Sequence, residues 1–206
     1  MDDVRGLKAL QLDALREVAN IGAGHAATAL SQMTNRTIMI QVPEVNIRAL
    51  EEVADLLGSA DDVIAAVLMH MMGDLTGRAM VLFPEPSART LCDILFRREP
   101  GTTEAFGPME QSGLKEVGNI LVSAYMTALS DFMGMMLVPS VPSLVVDQSG
   151  AILTTTYLNF GHDRDYVFCV ETAFQVAGAH DALRGHFLLL PDMPSLRAIF
   201  DAIRLP

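Results

Sequence analysis

The sequence predicts a mixed α/β fold of the α+β type, a pseudo-twofold internal duplication with two long helices packed on a mainly antiparallel sheet. Three observations predict it. One stretch occurs twice: Asp13-Ala14-Leu15-Arg16-Glu17-Val18-Ala19-Asn20 followed by Pro43, and Ser112-Gly113-Leu114-Lys115-Glu116-Val117-Gly118-Asn119 followed by Pro142. Four positions thus repeat at a single offset of 99 residues (13/112, 17/116, 20/119, 43/142). A second echo joins Phe83-Pro84-Glu85-Pro86-Ser87 to Leu190-Pro191-Asp192-Met193-Pro194-Ser195, each ahead of an apolar helical segment. Finally, each half reads in the same order: long helix, strands, proline-marked helix. One domain over 1–206 is expected, built of two repeats (about 1–99 and 104–206) that share a sheet and a core.

The elements follow from local pattern. Leu10, Ala14, Leu15, Val18, Ile21, Ala26, Ala29 and Leu30 recur at helical spacing, which predicts a helix from about Leu7 to Met33, ended by Asn35-Arg36. Gly22 and Gly24 inside it, each worth about 1 kcal/mol against Ala in an exposed helix interior, point to close backbone approach or a bend. Thr37 to Val42 reads as a strand halted by Pro43. Residues 44–60 are ambiguous between strand and helix, with Ile47 to Leu57 fitting a short helix stopped by Gly58-Ser59. Asp62 to Met72 and Thr76 to Phe83 form a hairpin around Gly73-Asp74-Leu75, and Pro84 to Ser87 open a helix reaching Arg97. After the linker Glu99-Pro100-Gly101-Thr102-Thr103 comes a helix from Pro108 to Met133, with Leu114, Val117, Ile120, Leu121, Tyr125, Ala128 and Leu129 on its apolar side. Strands are expected near Met136–Pro139, Leu144–Val146, Ala151–Tyr157, Asp165–Phe174 and Gly185–Leu190, then a helix over Ser195–Ile203.

Composition narrows the function. Half of the 206 residues are hydrophobic and the mean hydropathy is positive, so the chain can bury a large core. The longest apolar run, Val63 to Met72, contains His70 and is too short to span a bilayer. Met1-Asp2-Asp3 is acidic and opens no secretion signal, so a cytoplasmic location and no membrane insertion are expected. A net charge of −11 with scattered cations argues against nucleic acid and against anionic membrane surfaces. Cys92 and Cys169 fit neither a disulfide framework nor a zinc pattern, and their apolar settings suit buried thiols. His70, His162, His180 and His186 lack the i, i+4 spacing of metal ligands, and His25 reads as a surface residue. Met69, Met71, Met72, Met133, Met135 and Met136 read as soft core filler.

The repeated stretch carries the chemistry. At about 100° per residue, Asp13 and Asn20 lie within about 60° of Glu17, while Leu15, Val18 and Ala26 lie on the opposite side. Ser112, Glu116 and Asn119 take the same angles against Leu114, Val117 and Leu121. Each helix therefore displays a carboxylate and a carboxamide together, away from the core. A solvated helix face would be polar anyway. Here, however, residue identity and spacing match in both copies while neighbours differ: Arg16 against Lys115, Gly24 against Ser123, His25 against Ala124.

These two motifs, Asp13-x3-Glu17-x2-Asn20-x22-Pro43 and Ser112-x3-Glu116-x2-Asn119-x22-Pro142, resemble the paired signature of the CheC/FliY/CheX family of chemotaxis phosphatases. The two-copy pattern, the length and the stretch Glu17 to Ser31 are most similar to its CheC-type members. The resemblance implies hydrolysis of the aspartyl phosphate of the response regulator CheY. Glu17 and Glu116 would engage the regulator beside its phosphoryl group, and Asn20 and Asn119 would orient the attacking water. Asp13 and Ser112 would support the site, and Pro43 and Pro142 would be structural. No cofactor or metal of its own is expected, since magnesium would lie in the phosphorylated partner. The resemblance also implies the receptor deamidase CheD as a partner. A monomer is expected, because the duplication supplies internally what a symmetric dimer would provide. The alternative is a non-catalytic adaptor that binds CheY or CheD without turnover.

Overall fold

The computed structural model describes residues 9–42, 44–49, 53, 58–160, 166–176 and 183–202. Chain order is α1 (Ala9–Thr34), β1 (Ile38–Gln41), β2 (Val45–Ala49), β3 (Val63–Gly73), β4 (Gly77–Pro84), α2 (Glu85–Leu95), α3 (Pro108–Met133), β5 (Leu137–Pro139), β6 (Ser143–Gln148), α4 (Ser149–Phe160), β7 (Tyr166–Val176), β8 (Leu183–Pro191) and α5 (Met193–Ala202). The two long helices are 26 residues each and begin and end 99 positions apart. Both are followed by a left-handed residue at the same offset, Asn35 (φ 54°) and Gly134 (φ 64°). Asn and Gly are the residues that tolerate that conformation, so each helix is stopped at the same turn.

All strand pairs are antiparallel, and the eight strands form one sheet in the order β1-β7-β8-β4-β3-β5, with β2 also on β7 and β6 also on β3. Each half supplies one long hairpin, β3–β4 or β7–β8, and the hairpins meet at β4·β8. The short strands are exchanged: β1 and β2 pair with β7 of the second half, β5 and β6 with β3 of the first. Strand alternation sorts the apolar residues into two layers. Ala65, Val67, Met69, Met71, Val81, Phe83, Val170 and Phe187 face α1, α2, α3 and α5. Ile64, Ala66, Met80, Leu82, Cys169 and Leu188 face α4 and Val53.

Five expectations need correction or placement. Ile47, Arg48 and Ala49 belong to strand β2, where they pair with Phe168, Val167 and Tyr166, so the short helix does not begin at Ile47. Within 50–57 only Val53 is described, and it is helical. Ala151–Tyr157 is not a strand but part of α4: Ile152, Leu153 and Thr156 are buried at helical spacing over the sheet, and Thr156 Oγ1 donates to the Ile152 carbonyl at 2.8 Å. Burial of that face outweighs the strand preference of Thr154, Thr155 and Thr156. Gly22 is required by close approach, since a Cβ there would lie 2.7 Å from Tyr125 Cδ1 and 3.0 Å from its Cα, whereas a Cβ on Gly24 would meet nothing within 4 Å. Met69 and Met71 are core, but Met72, near the end of β3, and Met136, just before β5, are exposed. Pro43 lies outside the described residues.

The linker between the halves is fastened. Asp93, buried on α2, accepts from Gly101 N–H (2.7 Å), Thr103 N–H (2.9 Å) and Thr103 Oγ1 (2.6 Å). Arg89 donates to the Thr103 carbonyl at 3.2 Å and pairs with Glu85 at 2.6 Å. Asp93→Ala strands the Thr103 N–H and hydroxyl in the interior and frees the exposed Gly101 N–H. Urea unfolding should show a loss of about 2–3 kcal/mol; a loss below about 0.5 kcal/mol, the range of ordinary surface changes, would contradict this anchoring.

His186 on β8 is buried, with its Nδ1 lacking a hydrogen-bond partner among the described residues. Burial lowers its pKa below the ordinary 6.5, opposed by the Glu171 carboxylate and assisted by Arg184. The unfolded chain therefore binds this proton more readily, so the contribution to stability is full above pH 6.5 and is lost as pH falls below it. Melting temperature should decline from pH 7 to 5, and His186→Phe should flatten part of that slope. An unchanged slope in the variant would show that other groups set it.

Candidate functional site

The site begins with the register of the two long helices. In α1, Leu15, Val18, Ala19, Ala23 and Ala26 are buried, and this fixes the rotation of the helix. Asp13, Glu17 and Asn20 then emerge on the opposite side, all exposed. In α3, Leu114, Val117, Gly118, Leu121 and Val122 are buried, which leaves Ser112 and Glu116 exposed and Asn119 half-buried. All six expected side chains outside the proline pair therefore stand on outward faces, carboxylate beside amide one turn apart.

The start of α3 is set by a device that the sequence reading missed. Gly107 is the N-cap, Pro108 occupies the first turn, and Glu110 reaches back to the backbone there. Hydrogen bonds from the Glu110 backbone N–H, then the Arg98 guanidinium at 2.7 Å, hold this carboxyl below the ordinary range. A glutamate at the third helical position closing on the cap residue is the acidic half of a capping box. Its signal, Gly-Pro-x-Glu, was present at 107–110. The cap fixes where α3 begins, four residues before Ser112.

The twofold relation determines what comes together. An axis that exchanges β4 with β8 and keeps α1 and α3 on the same face runs normal to the sheet, so the two helices are antiparallel. Gly22 of α1 lies against Tyr125 and Ala124 of α3 at their crossing. Glu17/Asn20 and Glu116/Asn119 each lie toward the start of their own helix and so face opposite ends of the pair. Each Glu is brought beside its own Asn, and the two pairs are kept apart. Pro142 sits half-buried in the short connection before β6.

The two cysteines are removed from this surface. Cys92 and Cys169 are buried free thiols, and burial, with Glu110 and Asp93 adding to it, pushes the Cys92 pKa up to about 12. His25 and His70 are exposed. Among the described residues, no group of three or more His, Cys, Asp or Glu is placed to hold a metal ion, and no helix is long and apolar enough to cross a membrane.

An outward carboxylate and carboxamide are suited to entering a cleft in another molecule. The carboxylate can meet a cation there, and the amide can accept one water proton while donating elsewhere.

Comparison with known proteins agrees with the two-copy pattern. The model of the CheC-like family matches residues 10–47 and 109–146, two stretches separated by the same 99 positions. The chain is 35% identical over 205 residues to the CheY-P phosphatase CheC of Bacillus subtilis, covering 98% of each sequence. Among solved structures, Thermotoga maritima FliY superposes with a TM-score of 0.77 at 18% identity, covering 96% of this chain and 98% of that one. CheX in its complex with CheY, BeF3 and Mg2+ from Borrelia burgdorferi is matched with a TM-score of 0.50 at 16% identity, covering 88% of this chain and 95% of that one. With whole-length identity to one relative, both motif regions matched and the same fold in its structural neighbours, this chain belongs to the CheC-like family.

Proposed function

We propose that this chain is a phosphatase that hydrolyses the aspartyl phosphate of the response regulator CheY, with Glu17/Asn20 and Glu116/Asn119 as two separate sites. The observation that carries the reading is the double outward display of a carboxylate and an amide one helical turn apart, in a chain 35% identical throughout to a CheY-P phosphatase. The remaining assignments belong to the same proposal: Asp13 and Ser112 support their sites, Pro43 and Pro142 are structural, and one domain of two repeats acts as a cytoplasmic monomer. CheD is a further partner in this reading, and magnesium resides in the regulator rather than in this chain.

The chemistry suits the side chains. Phosphoryl transfer requires an in-line nucleophile and stabilisation of the charge spread over the phosphoryl oxygens, with little covalent work from the protein. The Glu carboxylate docks against a cationic group beside the phosphoryl group and fixes the helix in the cleft. The Asn amide then holds a water on the line of attack, so that the P–O bond to the aspartate breaks as the water oxygen bonds to phosphorus. Inorganic phosphate leaves, the aspartate carboxylate is regenerated, and the water proton passes to phosphate or solvent. Fixing one water recovers orientation entropy, which is where a neutral side chain can lower a barrier.

The test follows decay of phosphorylated CheY. Asn20→Ala with Asn119→Ala should lower accelerated decay on the order of 100-fold, as loss of one well-placed polar group does in other active sites, while affinity for phosphorylated CheY changes less than about threefold, a surface-level effect. Each single variant should keep the share of the remaining site. A double variant hydrolysing at the parental rate removes the water-holding role. A parental protein that binds but never accelerates decay establishes the adaptor reading instead.

A further inference from the structure

We infer that the two motif faces ride on unequal mounts, α1 on a compliant one and α3 on a rigid one. The difference is set by the apolar residues between each helix and the sheet. The strand pairings identify equivalent positions on the two sides. Val45 pairs with Val170 and Leu144 pairs with Val67; Val45 and Leu144 are 99 apart, so Val170 and Val67 are counterparts. In the same way Ile47 pairs with Phe168 and Val146 with Ala65, which makes Phe168 the counterpart of Ala65. Val81 and Phe187 pair with each other at the centre and exchange under the twofold.

Beneath α3 the residues are small. Gly118 sits so close to the sheet that a Cβ would lie 2.5 Å from Val67 Cγ1 and 2.6 Å from Val67 Cβ, so the helix backbone rests on that valine. Ala65, Val81 and Ala26, the twofold counterparts of residues beneath α1, are buried in the same core, and α3 approaches β3 and β4 closely in addition to β5 and β6. Beneath α1 four counterparts are larger, Ala19 for Gly118, Phe168 for Ala65, Phe187 for Val81 and Tyr125 for Ala26, while Val170 matches Val67 and Leu189 is smaller than its counterpart Phe83. Tyr125 stacks on Phe187 at 4.6 Å between ring centroids. The close backbone approaches of α1 run chiefly to β1 and β2. The aromatic rings prop α1 up without filling the gap they create. A half-open apolar pocket of about 50 Å3 remains, lined by Leu15, Val18 and Ala19 of α1 together with Val170, Phe187 and Ile199.

Those three α1 residues bracket Glu17 and immediately precede Asn20. An apolar void removes packing partners from its lining and lowers the cost of local displacement, whereas backbone seated on a β-branched side chain has nowhere to move. Val170 is thus a positioning residue that acts through α1 on Glu17 and Asn20. Val67 holds Glu116 and Asn119 through Gly118. The mechanical contrast stands on packing alone; its catalytic consequence rests on the phosphatase reading.

Hydrogen exchange on the full chain is the direct test. Amides of 15–23 should exchange at least tenfold faster than those of 114–122, and Val170→Ile, which adds a methyl group to the void, should slow the first set threefold or more while leaving the second unchanged. Equal exchange in the two helices, or a response of both or neither to Val170→Ile, overturns the inference. Should that variant fail to fold, xenon under pressure probes the parental protein. Methyl resonances of Leu15 and Val18 should shift while those of Leu114 and Val117 do not, and shifts in both pairs or neither overturn it. With CheY as substrate, Val170→Ile in an Asn119→Ala background should change kcat at least twofold with KM nearly constant; the same change in an Asn20→Ala background contradicts the assignment. If neither background accelerates decay, the phosphatase reading fails while the exchange contrast still decides this one.

Discussion

The antiparallel contact between β4 and β8 is the constraint from which the arrangement follows. It is the one pairing that joins the two long hairpins, and it maps onto itself when the halves are exchanged. Neither hairpin keeps its own short strands. The outer edge of β7 is covered by β1 and β2, and that of β3 by β5 and β6, each pair coming from the other half. Half a chain would therefore expose both a bare hairpin edge and a pair of unpartnered strands. Exposed edges of this kind are what folded proteins avoid. The exchange ties the duplication into one sheet, and the fastened linker at Asp93 joins the halves on the helical face.

From that symmetry the geometry of the motif faces needs no further specification. A twofold normal to the sheet turns two equivalent helices into an antiparallel pair, and their buried stripes fix their rotation. Positions i, i+4 and i+7 opposite the stripe must then face outward, at opposite ends of the pair. A 26-residue helix of modest amphipathicity draws its stability from packing rather than from its own propensity, so the outward residues are free of structural duty. That freedom lets an acid and an amide be displayed side by side, with no hydrogen-bond or ion-pair partner among the described residues. Two such faces on opposite ends can serve two partner molecules but not one phosphoryl group jointly.

The long helices, the hairpin around Gly73 and the second proline-marked helix were legible because their signals are local. Apolar periodicity over 26 residues is unambiguous, and Asn35 and Gly134 mark the stops. The misreadings lie where tertiary contact overrides local preference. Ile47 to Ala49 carry no decisive pattern, and only β7 makes them a strand. Thr154 to Thr156 prefer extended backbone, yet the floor of Ile64, Ala66 and Leu188 rewards a helix with Ile152 and Leu153 on one side. Gly24 and Gly22 look alike in the sequence and differ only in whether Tyr125 is opposite. The motif faces were readable because a repeat compares itself with itself. The mounts beneath them were not, because which strand residue lies under Ala19 or Gly118 depends on pairings between segments 75 to 125 residues apart.

Comparison of the halves also reverses an ordinary expectation. Interiors are close-packed and resist change, while solvent-facing positions usually tolerate substitution. Here the buried layer under the two helices has drifted in volume at position after position: Gly118 against Ala19, Ala65 against Phe168, Val81 against Phe187. The solvent-facing Glu and Asn are the same in both copies. Packing cannot impose that identity, since Glu17, Asn20 and Glu116 are exposed and the interior has found two different solutions beneath them. In the proposed function the requirement comes from outside the chain, from a surface that both faces meet in the same way. A single partner cleft, presented to two differently mounted copies of one acid-and-amide ridge, satisfies it: the ridge is held constant by the cleft, and the floor is left to vary.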